Sequence, residues 1–189
     1  PAIFANTRSI GSITFGNYNE FPQKSFVLNG KENSRITELV FKKCAFQVID
    51  AILNAMSKYT GRIQSIRIEA CKLANEDIRT IFETLHKYPV FMRIKYLFLN
   101  DGAIDEMDLR DFSRLLPRAR YLKFLSIDNM NIDTSALLKS IFLNSKSLAN
   151  LSITNCRFLE PIDEDVEIPP CIAMIDISMN QISPEAMAS

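Results

Sequence analysis

Residues 36–46 read ITELVFKKCAF, and the spacing of the apolar residues in this stretch decides the fold. We call these eleven positions the frame. In a β-strand successive side chains point to opposite faces, so Leu39 and Phe41, at frame positions four and six, point the same way. The stretch therefore predicts a short strand with one buried face.

The frame occurs seven times along the chain, starting at residues 10, 36, 63, 94, 122, 148 and 172. The first copy fits loosely, because its last apolar residue comes one place late. A strand with only two or three inward residues cannot bury them alone and becomes stable when the next copy lies beside it. The recurrence predicts an α/β solenoid (horseshoe) of about seven repeats, residues 1–189, with parallel strands on its concave side.

Successive frames begin 24 to 31 residues apart, and most of these intervals are long enough to hold a helix between strands. The intervening segments carry apolar residues at helical spacing. Four sets predict four helices on the convex side: Val48, Ile49, Ile52, Leu53 and Met56; Ile78, Ile81, Phe82 and Leu85; Leu109, Phe112, Leu115 and Leu116; Leu137, Leu138, Ile141 and Phe142. Asn75, Asp105 and Asp133 are predicted to cap three of them, because their side-chain oxygens accept hydrogen bonds from free helix amides.

These repeats resemble the leucine-rich repeat family, in its ribonuclease-inhibitor-like branch with strands inside and helices outside. The resemblance covers about residues 10 to 188. It implies a binding scaffold, since this family has many unrelated partners on one architecture. Within the branch, the repeat length is similar to that of the CARMIL proteins, which regulate actin. That resemblance implies a cytoskeletal or signalling regulator.

Composition limits the classes of function. The chain of 189 residues carries 22 basic and 22 acidic side chains, has a pI near 7.1 and is 47% hydrophobic. It lacks the positive excess typical of a nucleic-acid binder, so no nucleic-acid partner is expected. No apolar run approaches the roughly 18 residues of a membrane span, and no membrane partner is expected. The opening PAIFANTRSI has no targeting pattern.

Three of the four cysteines, Cys44, Cys71 and Cys156, stand at frame position nine, where the last repeat has Asn180. The resemblance implies a structural role, because leucine-rich repeats place Asn or Cys there to bond the backbone of the turn after the strand. Free cysteine is among the most buried residues. With no CxxC motif and no cysteine-rich cap, the sequence predicts reduced thiols and a cytoplasmic location.

Catalytic motifs are absent from the sequence, and no catalytic residue, metal or cofactor is predicted. The single histidine, His86, comes near the end of a predicted helix, where a structural role at the terminus is favoured. The acid-rich stretch LEPIDEDVEIPP, from residue 159, replaces a helix between the sixth and seventh strands. Its three prolines predict an extended solvated connection and disfavour calcium.

A partner is predicted to bind the residues that alternate with the buried ones on the concave side, at frame positions three, five and seven. Most are small and polar. The exception is an aromatic cluster bordered by charged residues. The candidate site therefore consists of Tyr96, Phe98, Phe124, Arg67, Glu69 and Asp128. Exposed aromatic residues beside arginine are typical of binding hot spots. The structural alternative is that these rings pack on each other across strands, or are covered by another part of a longer protein.

The chain ends about one turn into a predicted helix in SPEAMAS and begins without a polar capping repeat, which favours a fragment of a longer protein. The function that the sequence favours is that of a non-catalytic protein-binding scaffold. Two alternatives stay open: a Ran-type GTPase activator, and a substrate receptor of an F-box-type ubiquitin ligase. The acidic tail of the first and the F-box of the second are not in this sequence.

Overall fold

A computed structural model describes residues 11–17, 36–56, 62–100, 116–130, 132, 134–158 and 166–184. These residues form an α/β structure. The strands are β1 (Ser12–Gly16), β2 (Glu38–Lys42), β3 (Ser65–Glu69), β4 (Tyr96–Asn100), β5 (Phe124–Asp128), β6 (Asn150–Thr154), β7 (Arg157–Phe158), β8 (Met174–Asp176) and β9 (Gln181–Ile182). The α-helices are α1 (Phe46–Met56), α2 (Asn75–Lys87) and α3 (Thr134–Asn144).

Seven strands form one sheet in the order β1-β2-β3-β4-β5-β6-β8, and every neighbouring pair is parallel. The register is the same at every step, so that each frame position lies beside the same position of the next strand. Leu39 pairs with Ile66, and Leu125 pairs with Leu151. The predicted parallel sheet and its register are confirmed.

Side chains at frame positions four and six form the buried side of this sheet. Leu39, Ile66, Leu125 and Leu151 are fully buried, and the two end members of the row, Ile13 and Ile175, are half-buried. Each of the six five-residue strands contributes two such residues and β8 contributes one, Ile175, and the row becomes a continuous apolar layer only through pairing of neighbouring strands. This is why a strand of five residues, too short to be stable alone, is stable here.

The three helices contribute their apolar faces to the same core. In α1 the five buried side chains are those that the 3.6-residue spacing predicts, and the same holds for the four core positions of α2 and of α3. Three predicted helices are thus confirmed. The remaining prediction, on Leu109, Phe112 and Leu115, lies outside the described residues. Leu116, the last member of that set, begins a short 3₁₀ turn, Leu116–Arg118.

The predicted cap of α2 is wrong in its position. Ala74, and not Asn75, occupies the cap with extended backbone, and its N–H donates to Asp77 Oδ2 at 2.9 Å. Asp77 thus performs the half of a capping box that a carboxylate in the first turn supplies. The other two predicted caps, Asp105 and Asp133, lie outside the described residues.

The chain after β6 differs from the earlier repeats. The strands β7 and β9 pair in a separate two-stranded parallel sheet. Residues 166–169 of the acid-rich stretch are neither helix nor strand, as predicted, and residues 159–165 lie outside the described part. Ser178, predicted to continue the last strand at frame position seven, instead lies in a turn where its N–H donates to Asp176 Oδ1 at 3.0 Å.

Within the described ranges, no helix is both long enough and apolar enough to cross a membrane.

Candidate partner-binding surface

One face of the seven-stranded sheet carries the side chains that alternate with the buried ones, and we call it the open face. Its members in the described strands are Ser12, Thr14, Gly16, Glu38, Val40, Lys42, Ser65, Arg67, Glu69, Tyr96, Phe98, Asn100, Phe124, Ser126, Asp128, Asn150, Ser152, Thr154, Met174 and Asp176. All but Ser126 are half-buried or exposed. The three helices pack on the other side, so this is the side that their apolar residues leave free.

The aromatic patch, defined as Tyr96, Phe98 and Phe124, lies on the adjacent strands β4 and β5. Tyr96 is directly opposite Phe124 in the register. The rings of Phe98 and Phe124 stand diagonally, with centroids 5.2 Å apart and planes tilted by 37°. Ring packing across strands was the alternative to a binding site in the sequence analysis. It accounts for part of the burial of the two phenylalanines. It leaves Tyr96 with 43% of its surface exposed.

Arg67 joins the patch from β3. It lies directly opposite Phe98, and its Cζ is 3.6 Å from the centroid of the Phe98 ring. A guanidinium group over an aromatic face is attracted by the negative charge of the π-system. The position of Arg67 is fixed from the other side, because its Nε donates to Glu38 Oε1 at 3.1 Å. Arg67 is thereby held flat on the patch instead of extending into solvent.

Glu38 was part of the predicted face but not of the candidate site, and the structure makes it the anchor of Arg67. Its Oε1 also accepts a hydrogen bond from Ser65 Oγ at 3.0 Å. Partial burial alone would raise the pKa of Glu38, but hydrogen bonds from Ser12, Arg67 and Ser65 outweigh it and hold the pKa below its ordinary value of 4.5. Glu38 is therefore ionised at neutral pH. The register places Glu38 diagonal to Arg67 on the neighbouring strand, which brings the two within reach of each other but does not by itself fix their contact.

The other two candidate residues lie at the carboxyl ends of their strands, at the margin of the patch. Glu69 Oε2 is 3.6 Å from Lys42 Nζ. Asp128 Oδ1 accepts hydrogen bonds from Thr154 Oγ1 at 2.6 Å and from Asn155 Nδ2 at 2.7 Å. The structure therefore brings Arg67 together with the aromatic patch, whereas the bonds of Glu69 and Asp128 are to neighbours along the strand ends.

The residues of frame position nine form a ladder between successive turns. Cys44 Sγ lies 3.3 Å from the carbonyl oxygen of Phe15, and Cys71 Sγ lies 3.5 Å from that of Phe41, in each case position six of the preceding repeat. Cys71 Sγ also accepts from the N–H of Cys44 at 3.4 Å. Each of these side chains thus bonds the backbone of the repeat before it.

Asn180 makes the same contacts at the other end of the sheet with shorter bonds. Its Oδ1 accepts from the N–H of Cys156 at 2.7 Å, and its Nδ2 donates to the carbonyl oxygens of Ile153 at 2.7 Å and Ile177 at 2.6 Å. An amide supplies both a donor and an acceptor, whereas a thiol is a weak version of each. At frame position nine, asparagine therefore forms stronger hydrogen bonds to the backbone than cysteine does.

Burial raises the pKa of the Cys71 thiol and that of the Cys156 thiol above the ordinary value of 9.0. Both thiols are thus protonated at neutral pH, and a thiol in that state is a poor nucleophile and a poor metal ligand. All four cysteines are free thiols. Among the described residues, no group of three or more His, Cys, Asp or Glu side chains is placed to hold a metal ion.

His86 lies in the last turn of α2, half-buried. Its Nδ1 is 2.8 Å from the carbonyl oxygen of Phe82, one turn earlier, and donates to it when the proton is on Nδ1. That geometry places His86 in the structural role at the helix end that the sequence favours.

The residue at frame position eight has left-handed backbone in every repeat where it is described, a regularity that sequence reasoning missed. The positive φ angles lie between 52° and 60°, at Asn17, Lys43, Ala70, Asn129, Asn155 and Met179. Asparagine tolerates this conformation, and its three occurrences at this position were the available signal. The turn brings the ninth side chain back under the strand.

Comparison of the sequence with the models of known protein families finds no match, and comparison with curated proteins finds no significant match.

Proposed function

We propose that this chain is a leucine-rich repeat solenoid that acts as a non-catalytic protein-binding scaffold. In this proposal the open face is the concave side of a horseshoe, and the aromatic patch with Arg67 is where a partner docks. The role belongs to a cytoskeletal or signalling regulator, as the resemblance of the repeats implies.

Three observations support the solenoid. The register of frame positions stays constant over six strand pairings. The ninth position bonds the preceding repeat at both ends of the sheet. The eighth position has left-handed backbone in each described repeat. A chain built of one repeating unit has these regularities because each unit meets only its neighbours.

The observation that carries the binding role is the aromatic patch itself. A soluble sheet gains little by placing Tyr96, Phe98 and Phe124 together on the side that its helices leave free. Tyrosine and arginine are among the residues most enriched in binding hot spots: tyrosine buries a large area for few rotatable bonds, and arginine presents a planar group that stacks on rings and donates several hydrogen bonds. Arg67 is already ordered by Glu38 and Phe98. Binding of a partner to its guanidinium group therefore costs little further side-chain entropy.

The thiols support a cytoplasmic location. Cys44, Cys71 and Cys156 are buried and free, and each has a place in a turn that a disulfide would disturb. Unpaired cysteines are typical of proteins in a reducing compartment.

A pull-down from cytosolic extract tests the binding role. The comparison is between the wild-type chain, Phe124→Asp on the aromatic patch, and Leu143→Asp on α3, whose side chain is 71% exposed. We expect proteins retained by the wild type and by Leu143→Asp to be lost with Phe124→Asp. Retention of the same proteins by all three chains contradicts the role of the patch.

The non-catalytic part of the proposal has its own test. A Ran-type GTPase is incubated with GTP in the presence and absence of the chain. Acceleration of GTP hydrolysis by the chain would replace the scaffold role with that of an activator.

A further inference from the structure

The amino ends of the central strands form a surface of a single charge sign. The segments that lead into β3, β4, β5 and β6 carry seven exposed cations, and within residues 62–64, 92–95, 116–123 and 145–149 there is no acidic residue. We call these cations the basic edge: Arg62, Arg93, Lys95, Arg118, Arg120, Lys123 and Lys146. The total charge of the chain gives no sign of this local excess of cations, because its 22 basic and 22 acidic residues balance.

Backbone hydrogen bonds show that these segments lie side by side. The N–H of Lys95 donates to the carbonyl oxygen of Gln64 at 2.8 Å, the N–H of Lys123 to that of Lys95 at 2.8 Å, and the N–H of Ala149 to that of Lys123 at 3.0 Å. Because parallel strands in register all begin at one edge of the sheet, the cations project from one level.

The basic edge also carries exposed side chains of low polarity. Tyr121 is 49% exposed and Met92 is 54% exposed. Arg93 Cζ lies 5.8 Å from the centroid of the Tyr121 ring, which ties the segment before β4 to the segment before β5. Arginine, tyrosine and methionine are the residues enriched in protein–protein interfaces, and lysine-rich edges without aromatic residues are not.

The basic edge lies at the start of the two strands that carry the aromatic patch. Lys95 directly precedes Tyr96, and Lys123 directly precedes Phe124. At the opposite ends of the strands stand the carboxylates of Glu69 and Asp128. Along β3 and β5 the charge therefore changes sign, from a cation before the strand to a carboxylate at its end, although Glu69 is paired with Lys42. A bound segment meets a defined electrostatic polarity, which fixes its orientation as well as its composition.

The basic edge is not neutralised by ion pairs with other described residues. The ion pairs of Lys42 with Glu69 and of Arg67 with Glu38 lie on the open face and involve none of the seven cations. An arginine that has no carboxylate of its own presents its planar fork of donors to an incoming carboxylate.

We propose that the partner of the aromatic patch is an acidic polypeptide segment with an apolar anchor, an inference that rests on the proposed protein-binding function. The anchor lies on Tyr96 and Phe124, and its Asp and Glu side chains pair with the basic edge. The inference depends on charge complementarity and on the position of the basic edge at the start of β4 and β5, the strands that carry the patch. The chain as a whole has no positive excess, which favours a short acidic segment over a large polyanion such as nucleic acid or an anionic membrane.

The test begins with selection from a random linear-peptide library on the wild-type chain. We expect the enriched peptides to combine Asp or Glu with an aromatic or large aliphatic residue. Affinity of a synthetic copy of one selected peptide is then measured for the wild type and for variants. Arg93→Glu combined with Arg120→Glu should weaken binding about tenfold or more, and added salt should weaken it further.

The matched control reverses two cations away from the basic edge, Lys72→Glu combined with Arg157→Glu. Both are exposed, and the change in net charge is the same. We expect less than about a twofold loss for it. Thermal unfolding checks that each variant is folded; the four substituted cations are exposed, and Phe124 is half-buried.

The outcomes separate the two proposals. If selected peptides are rich in Lys or Arg, or if they bind the edge variant as well as the wild type while Phe124→Asp abolishes binding, the acidic partner is refuted and the scaffold stands. If no selected peptide is sensitive to Phe124→Asp, both fail. If oligouridine RNA, or vesicles of phosphatidylcholine with phosphatidylserine, binds more tightly than the peptide and is lost with the edge variant, the basic edge belongs to that macromolecule and the inference is overturned.

Discussion

The two faces of the seven-stranded sheet place different constraints on neighbouring residues of one five-residue strand. Phe124 and Leu125 are neighbours in β5, yet Leu125 is fully buried against the helices and Phe124 stands half-buried on the open face. Packing in the core constrains Leu125, because any change of size there leaves a void or a clash. The core places little constraint on Phe124. Residues of the open face can therefore change with little effect on the fold.

Substitution of these two neighbours gives the largest expected contrast. Leu125→Ala should lower the free energy of unfolding by about 3 kcal/mol, because it removes buried methyl groups and leaves a cavity. Phe124→Ala should cost about 1 kcal/mol, the order of a cross-strand ring contact. Urea unfolding measures both. Equal losses would show that Phe124 is a core residue and that the two faces are not distinct.

A second comparison concerns the turns, where Asn180 and Cys71 both occupy frame position nine. Both side chains bond the backbone of the preceding repeat, but the bonds of Asn180 are shorter. Asn180→Ala should cost about 2 kcal/mol, because it leaves the N–H of Cys156 and two carbonyl oxygens without their partner. Cys71→Ala should cost about 1 kcal/mol or less, since thiol bonds are weaker. The two losses are compared at the same pH and urea concentration range. A larger loss at Cys71 would contradict the ranking.

The buried thiols also predict how stability depends on pH. Folding raises the pKa of Cys71 and Cys156 above 9.0, so the native state holds protons that the unfolded chain releases. Their contribution to stability is complete below about pH 9 and is lost as pH rises through the folded-state pKa values. Urea midpoints from pH 7 upward should fall less in Cys71→Ala than in the wild type. A Cys71→Ala chain whose urea midpoints fall as steeply with pH as those of the wild type refutes the prediction.

The smallest expected effect is at frame position eight, between the two faces. Ala70 has φ of 53°, which costs a residue with a Cβ about 1–2 kcal/mol. Ala70→Gly should raise stability by about 0.5 kcal/mol after the entropy of glycine is subtracted. The same change at Ala136, inside α3, should lower stability by about 1 kcal/mol. Thermal unfolding of the pair decides: a loss in both would mean that the left-handed turn at Ala70 stores no strain.

The fold was predictable to the extent that apolar spacing determines it. The strands, their register and three helices follow from residues such as Leu39, Ile66 and Ile81, since each must find a partner in the next repeat. The cap of α2 was not predictable from residue type alone. Asparagine is the better cap, yet the carboxylate of Asp77 three residues later decides that Ala74 holds the position.

The candidate surface was predictable in its membership but not in its internal contacts. Strand alternation alone places Tyr96, Phe98 and Phe124 on one face. That Glu38 holds Arg67 over Phe98, or that Asp128 bonds Thr154 and Asn155, depends on side-chain rotamers and on diagonal distances that spacing does not supply.

Photo-crosslinking tests the central claim most directly, because it reports which side of the molecule a bound segment touches. Benzoylphenylalanine replaces Phe124 on the open face in one chain and Leu143 on α3 in another, and each is irradiated with the selected peptide. The account predicts a crosslinked product from position 124 and none from position 143. A product from position 143 alone would mean that partners bind the helical side, and the open face would lose its proposed role.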